Sequence, residues 1–275
     1  MGKTSSKRRI DGWLLIDKPA GITSSAVVNK VKWALNAKKA GHAGTLDPEA
    51  TGLLAIALGE ATKTVSYITS GIKAYTFIIK LGEATNTDDS EGKVIAQSTN
   101  RPSDHKIKEG LKAFIGNIKQ IPPQFSAVKV DGQRAYKLAR DGEDLDLAPR
   151  DLFVQNLQFE KRIDIDHLEF MLFCGMGCFV RSIARYLGEF FVCFAYVKYL
   201  RRIWSCSLNV NDAIDFKLVE QLAKNPELED YLHPIELGLS ELPELKCRPE
   251  EITKLRNGNP AMVLASDLNY GDEAW

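Results

Sequence analysis

The hydrophobic positions of this chain form short continuous runs and one alternating run. The continuous runs at 13–17 (WLLID) and 53–59 (LLAIALG) are typical of buried strands. Segments 152–160 and 167–174 also predict strands. In 74–82 (AYTFIIKLG) every second position is apolar, which predicts a strand with one buried face. That face carries Tyr75, Phe77, Ile79 and Leu81.

Four segments are predicted to be helical, mainly because apolar residues recur at a spacing of three or four. They are 26–35, 104–116, the short basic segment 134–142, and 180–189. Thr23 and the serines after it supply possible N-caps for the first helix, and Gly116 is expected to end the second. In the last helix the apolar positions face inward, which turns Arg181 and Arg185 elsewhere.

The order of these elements indicates the fold class. Strands and helices lack the regular alternation of βα units, so the chain is predicted to be α+β. Segment 93–98 (KVIAQS) is expected to form a hairpin with 74–82 across the polar turn 86–92 (NTDDSEG). A shift in composition near 240 predicts two units, 1–240 and 241–275, and the second is too short for an independent core.

Composition and charge limit the possible partners. A hydrophobic content of 44% and a charged content of 26% over 275 residues are ordinary for a soluble globular protein. The net charge is zero, so the chain has no general attraction to nucleic acid, and local patches must hold any polyanion. Such patches occur at 7–9 (KRR), at 37–39 (AKK), and at Arg134, Lys137 and Arg140. Each patch taken alone is more simply explained as a solvated face.

The cysteines and the longest apolar runs exclude further classes. Five scattered cysteines without a CxxC pair argue against a disulfide framework and against a zinc site. No apolar run is long enough to cross a bilayer, and the N-terminus lacks the apolar region of a secretory signal. We therefore expect a cytoplasmic protein with no metal and no membrane association.

The stretch 41–52 (GHAGTLDPEATG) is too poor in large side chains to build core. Its glycines permit tight turns and close approach of another backbone, and Pro48 keeps Asp47 out of the helical region. The pattern predicts a loop that presents His42 and Asp47 beside a buried strand. These residues alone leave a simple Asp-Pro turn as the more frequent explanation. A hydrolase built on them lacks the usual nucleophile motif.

Longer agreement along the chain favours catalysis. The segments that carry it are GWLLIDKPAGITS, KKAGHAGTLDPEATGLLAIALGEATK, YTFIIKLGEATNTDDSEG, IPPQFSAVKVDGQRAYKLAR, VRSIARYLGE and VKYLRR, in that order. Together they closely resemble the TruB family of tRNA pseudouridine synthases. The resemblance runs from about Asp11 through Trp204 and continues more loosely to the end.

The resemblance implies both a fold and a reaction. The fold would be that of pseudouridine synthases, a central mixed, largely antiparallel sheet flanked by helices. The reaction would convert uridine 55 in the T loop of tRNA to pseudouridine by detaching uracil from its ribose, rotating it, and rejoining it through carbon 5. Because the bonds broken and made balance, no cofactor is expected. The expected partner is the T stem-loop of tRNA, bound by a monomer.

The same resemblance assigns the catalytic residues. Asp47 would be the covalent catalyst, whether it attacks the sugar or the base, and Arg181 beside it would keep it charged. Tyr75 would stack on the flipped base and is a candidate for the later proton transfer. Without the resemblance, Tyr75 would be read as one more core aromatic. Lys18-Pro19 is expected to brace the loop.

The expected substrate-binding positions are His42, Lys63, Phe179, Leu200, Arg134 and Lys137. By resemblance, His42 would help to hold the flipped-out loop, although the residue alone could simply cap a turn. Lys63 would meet a phosphate, and Leu200 would pack on the base. Arg134 and Lys137 would contact RNA phosphates.

Three segments depart from the family pattern. MGCFVR stands where KGTYVR is usual, so Phe179 replaces a tyrosine and removes a hydrogen bond worth ~1 kcal/mol. Segment 189–197 (EFFVCFAYV) is bulkier than expected. Segment 241–275 resembles the opening of a PUA-like RNA-binding domain that is cut short, by truncation or by degeneration. These departures keep a second hypothesis open, a catalytically weak tRNA-binding or tRNA-folding protein that retains the RNA groove.

Overall fold

The computed structural model describes residues 6–130, 132–143, 145–264, 268–269 and 271–275. The strands are β1 (Gly12–Lys18), β2 (Ala40–His42), β3 (Thr51–Leu58), β4 (Lys73–Leu81), β5 (Glu83–Thr85), β6 (Val94–Gln97), β7 (Gly116–Gln120), β8 (Lys129–Val130), β9 (Gln133–Arg134), β10 (Arg150–Arg162), β11 (His167–Cys174), β12 (Ala195–Ser205), β13 (Leu208–Asn209) and β14 (Ile214–Asp215). The α-helices are α1 (Ser24–Ala34), α2 (Val65–Ser70), α3 (Asp104–Gly110), α4 (Ala135–Arg140), α5 (Val180–Phe190), α6 (Phe216–Gln221) and α7 (Pro249–Arg256). Short 3₁₀ segments are Gly59–Lys63, Leu111–Phe114, Val210–Asp212, Pro226–Tyr231 and Ile235–Leu239.

A mixed sheet forms the centre of the molecule. Its strand order is β14-β1-β3-β12-β4-β11-β10-β7, with β2 paired to β3 and β13 paired to β12. The β1–β14 and β3–β12 pairs are parallel, and the other pairs of this sheet are antiparallel. The predicted α+β class with a mixed, largely antiparallel sheet is confirmed.

The sheet is buried on both faces near β1 and β3. Leu14 and Ile16 belong to the larger core cluster, to which α1, α3, α5 and α6 contribute apolar side chains. Trp13, Leu15 and Leu53 point to the opposite face, into a smaller cluster shared with α2 and the 3₁₀ segment Ile235–Leu239. Burial on both faces explains why these strands have continuous apolar sequences rather than alternating ones.

Helix α1 begins at its predicted cap. The Thr23 side chain accepts a hydrogen bond from the Ala26 backbone N–H at 3.1 Å. Such a bond satisfies one of the donors left free in the first helical turn. Val27 and Val31 are fully buried against the sheet, so the helical apolar spacing faces the core as predicted.

Two local predictions are wrong. Segment 93–98 contains β6, but β6 pairs with β5 in a separate two-stranded sheet. It cannot pair with β4 because β11 and β12 already occupy both edges of that strand. The helix predicted for 104–116 ends earlier. It passes from α3 into the 3₁₀ segment Leu111–Phe114, and Gly116, with φ +98°, begins the edge strand β7.

The C-terminal part of the described chain is organised around α7. Glu251 is buried, and its carboxylate accepts hydrogen bonds from Lys254 and from the Met262 backbone N–H, both at 2.7 Å. A domain boundary at 240 stays a prediction. In the described ranges, no helix combines the length and apolar character needed to span a bilayer.

Candidate active site

Asp47 lies in the loop between β2 and β3, and the residues on both sides of it are fixed. The Ser24 hydroxyl, at the start of α1, donates to the Leu46 carbonyl at 3.0 Å and accepts from the Leu46 N–H at 2.9 Å. On the other side, Lys18 Nζ donates to the Pro48 carbonyl at 2.8 Å. The loop therefore presents a half-exposed Asp47 from a backbone anchored to α1 and β1.

Lys18 braces this loop from beneath, as predicted for Lys18-Pro19. Its ammonium group is fully buried and also donates to the carbonyls of Pro19 and Ile22, at 2.8 and 2.7 Å. Burial lowers the pKa of Lys18 to about 8, while the charge of Asp47 is among the effects that oppose the change. Because each of the three ammonium N–H groups has its own carbonyl acceptor, the position of the Lys18 side chain is fixed.

Arg181 joins Asp47 to a second carboxylate. From the first turn of α5, its Nε lies 2.9 Å from Asp47 Oδ2 and its Nη1 lies 3.2 Å from Asp89 Oδ2. The same guanidinium donates to the carbonyls of Thr87 and Phe125, each at 3.1 Å. Only 7% of the Arg181 side chain is exposed. The structure thus brings the predicted Asp47 and Arg181 together, and four contacts fix the position of the arginine.

Asp89 lies in the turn 86–92, which the sequence indicated only as a polar turn. Its Oδ1 accepts from the Thr87 hydroxyl at 2.6 Å and from the Glu91 backbone N–H at 3.1 Å, which leaves Oδ2 for Arg181. The Thr85 hydroxyl donates to the Asp89 carbonyl at 2.7 Å. The sequence signal that could have indicated this contact is the presence of three acidic residues in this turn and of two arginines four residues apart on α5.

A second acid–arginine pair lies beside the first. Arg185, one helical turn after Arg181, forms an ion pair with Asp88 and donates to the Ile121 carbonyl at 2.8 Å. Burial raises the pKa of Asp88 to about 6, against the opposing effects of Arg185 and Arg181. Asp88 itself has φ +61°. The turn is therefore held to α5 by two consecutive carboxylates.

Tyr75 and Leu200 lie on adjacent strands next to this loop. Tyr75 on β4 has Arg202 as its neighbour on β12, and Leu200 lies opposite Phe77. Tyr75 is only 6% exposed and belongs to the core cluster, against which Leu200 is partly buried. Burial raises the pKa of the Tyr75 phenol, while the positive charge of Arg202 opposes the rise.

His42 ends β2 on the approach to the loop. Burial, and after it the charge of Arg202, lowers the pKa of His42, so its ring is neutral at pH 7. The buried His42 Nδ1 has no hydrogen-bond partner among the described residues. The ring is thus not held by a cap interaction through this nitrogen.

Phe179 is fixed through its backbone. The buried Gln120 side chain accepts from the Phe179 N–H and donates to its carbonyl, both at 3.0 Å. Phe179 directly precedes α5, so this pair also fixes the start of the helix that carries Arg181. Gln120 was not singled out from the sequence, because nothing in its local pattern marks it.

The basic residues predicted to meet RNA lie apart from Asp47 in the fold. Lys63 lies beyond the far end of β3, about 23 Å along an eight-residue strand, and pairs with Glu60 at 2.5 Å. Arg134 and Lys137 are exposed on β9 and α4, outside the central sheet. Arg134 donates to the Ala127 carbonyl at 2.5 Å. In the described chain none of the three pairs with a carboxylate that Arg181 contacts.

The charged groups of the site are carboxylates and guanidinium groups that form ion pairs with one another. Within the described residues, no group of three or more His, Cys, Asp or Glu side chains is arranged to hold a metal ion.

Comparison with known proteins gives a consistent result. Residues 32–180 match the model of the TruB family pseudouridylate synthase N-terminal domain. A protein of Ruegeria sp. strain TM1040 named tRNA pseudouridine synthase B is 60% identical over 275 residues, which cover 100% of this chain and 91% of that protein. A protein of the same name from Gluconacetobacter diazotrophicus is 45% identical over 94% of this chain and 84% of its own length.

Solved structures have the same fold. The chain is similar to one in a crystal structure of a Cbf5-Nop10-Gar1 complex, with a TM-score of 0.71, 26% identity, and coverage of 91% of this chain and 68% of that one. It is similar to another in a structure of an H/ACA RNP bound to a substrate RNA containing 2'-deoxyuridine, with a TM-score of 0.71, 23% identity, and coverage of 95% and 72%.

Proposed function

Because the chain belongs to the TruB family of pseudouridylate synthases, we propose that it converts uridine 55 in the T loop of tRNA to pseudouridine. The chain is an isomerase that forms pseudouridine in tRNA. The position in the tRNA and the residue roles below belong to the proposal. Uracil leaves C1′ of the ribose through N1, turns over, and bonds again through C5. The C5 hydrogen is lost and N1 gains one, so substrate and product are isomers.

Asp47 is the covalent catalyst in this proposal. Its anchored backbone and half-exposed carboxylate allow close approach to a nucleotide, either at the sugar carbon or at the base. Arg181 directs one nitrogen to Asp47 and another to Asp89, at 2.9 and 3.2 Å. A guanidinium held in this way keeps the carboxylate oriented when substrate displaces water, because the interaction of opposite charges strengthens as the local dielectric falls.

The target nucleotide must leave the RNA stack before it can reach Asp47. Tyr75 and Leu200, on adjacent strands, form the apolar walls for the flipped base, and Phe179 adds a ring beside them. Neutral His42 at the end of β2 supports the opened loop. Contact with a neutral ring suits unpaired bases better than contact with a charged one, because a base has no charge to offset burial of a cation.

Distributed phosphate contacts hold the RNA. Arg134 and Lys137 are exposed on the segment that follows Phe125, whose carbonyl accepts a hydrogen bond from Arg181. Lys63, with 71% of its side chain exposed, is free to exchange its weak surface pair with Glu60 for a phosphate. A monomer binding the T stem-loop, without a cofactor, accounts for these features.

The contact of Arg181 with both Asp47 and Asp89 is the observation that carries the proposal. The test incubates the purified chain with a T-arm stem-loop RNA and a matched RNA whose uridine at position 55 is replaced by cytidine. Mapping by mass-labelled nucleotides is expected to find one pseudouridine, at position 55 of the first RNA and none in the second. Modification at another uridine would refute the assigned position.

A second candidate function rests on Phe179, which lacks the hydroxyl usual at its position. In this alternative the chain binds and refolds tRNA but turns over poorly. A binding assay with the same T-arm stem-loop RNA, run beside the modification assay, distinguishes the enzyme from the binding protein. Tight binding with an unchanged uridine would favour the binding function, and Phe179→Tyr would then be expected to restore turnover.

A further inference from the structure

Arg202 is a fully enclosed cation next to the Asp47 loop. It lies on β12, between Gly52 on β3 and Tyr75 on β4, and only 1% of it is exposed. Its Nε donates to the Leu53 carbonyl at 2.8 Å, and its Nη2 donates to the Gly44 carbonyl at 3.0 Å. Tyr75 is its direct partner across the β12–β4 pair. One guanidinium therefore joins β3 to the start of the loop, at the position opposite Tyr75.

The surroundings of Arg202 differ from those of the other arginines near the site. Arg201, its neighbour in sequence, forms two hydrogen bonds with the Asp17 carboxylate at 2.8 and 2.6 Å, and Arg181 contacts two carboxylates. Among the described residues, the hydrogen-bond acceptors of Arg202 are instead backbone carbonyl oxygens. A buried charge without an opposite charge costs several kcal/mol, which an apolar side chain here would avoid.

Two glycines of the loop lie against Arg202, Gly44 against its side chain and Gly52 against its backbone. Gly44 has φ +89°, and a Cβ at this position would lie 3.2 Å from Arg202 Nη1. Gly52 has φ +97°, and a Cβ there would lie 2.2 Å from the Arg202 carbonyl oxygen. The motif is therefore shaped around Arg202 at both ends, with Asp47 between them.

The charge of Arg202 also acts on the other titratable groups of this region. After burial, it is the second cause that lowers the pKa of His42 and of Lys73. Both groups are thereby biased toward their neutral forms.

We propose that Arg202 is a positioning residue for pseudouridine formation, which holds the Gly44 end of the Asp47 loop and the phenol of Tyr75 in one arrangement. This inference rests on the proposed function. Arg202 and Tyr75 are direct cross-strand partners, so their side chains lie on the same face of the sheet. Since Arg202 also donates to the Gly44 carbonyl at 3.0 Å, the loop that carries Asp47 three residues later is held beside Tyr75.

The test compares Arg202→Lys with the matched control Arg201→Lys on the T-arm stem-loop. Lysine keeps the charge but lacks the planar fork that reaches two carbonyl acceptors in different directions. The single-turnover rate of Arg202→Lys is expected to fall at least about tenfold, because misplacement by 1 Å can cost about a hundredfold. RNA affinity is expected to stay unchanged, since Arg202 is only 1% exposed and so offers RNA almost no surface. Arg201→Lys is expected to keep the wild-type rate.

A double-mutant cycle with Tyr75→Phe shows whether Arg202 acts through the phenol. The loss caused by Arg202→Lys is expected to be smaller when the hydroxyl is already absent. An equal loss in both backgrounds would overturn the link to Tyr75. Long single-turnover incubations keep slow variants measurable.

The remaining outcomes are also decisive. A wild-type rate for Arg202→Lys overturns the inference, as does a parallel loss of rate, RNA affinity and melting temperature, which would show general destabilisation. If Arg202→Lys does not fold, Arg202→Gln, which retains donors without charge, takes its place in the same comparison. A wild-type chain that forms no pseudouridine would instead refute the proposed function.

Discussion

Asp89→Asn tests the arrangement around Arg181 with the smallest available change. The Asp89 Oδ1 atom already accepts from the Thr87 hydroxyl and the Glu91 N–H, at 2.6 and 3.1 Å. An asparagine oxygen would keep that position, so the amide NH₂ would replace Oδ2 and face Arg181 Nη1, now 3.2 Å from Oδ2. Two donors would then face each other, and the guanidinium would lose one of its two carboxylates.

The magnitude follows from the kind of bond removed. A hydrogen bond to a charged group contributes about 1.5–3 kcal/mol, and Arg181 is too buried for water to replace the contact easily. If this loss appears in the orientation of Asp47, the catalytic rate falls about tenfold to a hundredfold, since each 1.36 kcal/mol is tenfold in rate. RNA affinity is expected to change little, because Asp89 is held inside its own turn.

Single-turnover kinetics on the T-arm stem-loop measure this effect, with filter binding of the same RNA in parallel. Glu91→Gln is the matched control, because it removes a carboxylate from the same turn without touching the Asp89–Arg181 pair. A catalytic rate for Asp89→Asn equal to that of Glu91→Gln would refute the reasoning. It would show that Asp47 alone orients Arg181.

The remaining predictions concern catalysis, RNA contact and stability. Asp47→Asn is expected to abolish turnover at nearly intact RNA affinity, and a comparable loss of affinity would show a structural role. Arg134→Ala and Lys137→Ala are expected to weaken RNA binding less as salt is raised, because phosphate contacts are screened; a salt-independent loss would exclude phosphate contact. Asp88, whose pKa burial raises to about 6, contributes stability that is present below about pH 4 and lost as pH rises through 6. In urea unfolding at several pH values, the free energy of unfolding of the wild type should fall from this cause between about pH 4 and pH 6, and that of Asp88→Asn should lack this fall. Val192 has φ +53° and is 76% exposed, and Val192→Gly is expected to raise the free energy of unfolding by about 0.5 kcal/mol. The left-handed conformation costs an L-residue about 1–2 kcal/mol, whereas the greater freedom of glycine in the unfolded chain cancels about 0.5–1 kcal/mol of that gain. Equal stability of Val192→Ala and Val192→Gly would contradict this prediction.

The elements that sequence patterns predicted well are those in which one local signal decides the outcome. Continuous apolar runs predicted β1 and β3, and alternation predicted β4 with its buried face. Thr23 marked the start of α1. The close contact of Asp47 and Arg181 was also anticipated, through a resemblance that spanned most of the chain rather than through local chemistry.

The missed features depend on pairing between distant segments. The partner of β6 could not be read from its own residues, because the decision depends on which strands already flank β4. Asp89 looked like an ordinary acid in a polar turn until the fold placed that turn against α5. Arg202 was missed because a charged residue in a strand normally points to solvent, and only its hydrogen bonds to the Leu53 and Gly44 carbonyls show that it points inward.

Fixed charges of both signs surround the site. Arg181 lies between Asp47 and Asp89, Lys18 and Arg202 are buried and donate to carbonyl oxygens, and the lowered pKa of His42 leaves its ring neutral. Uridine and pseudouridine are both neutral, so these charges give no electrostatic reason to retain one over the other. The charges are nevertheless separated, with the carboxylates on the α5 side and the Arg202 guanidinium on β12 opposite Tyr75. Such a site can stabilise transient charge on the base during the transfer and still release the product, because preorganised charges act on the transition state more than on neutral ground states.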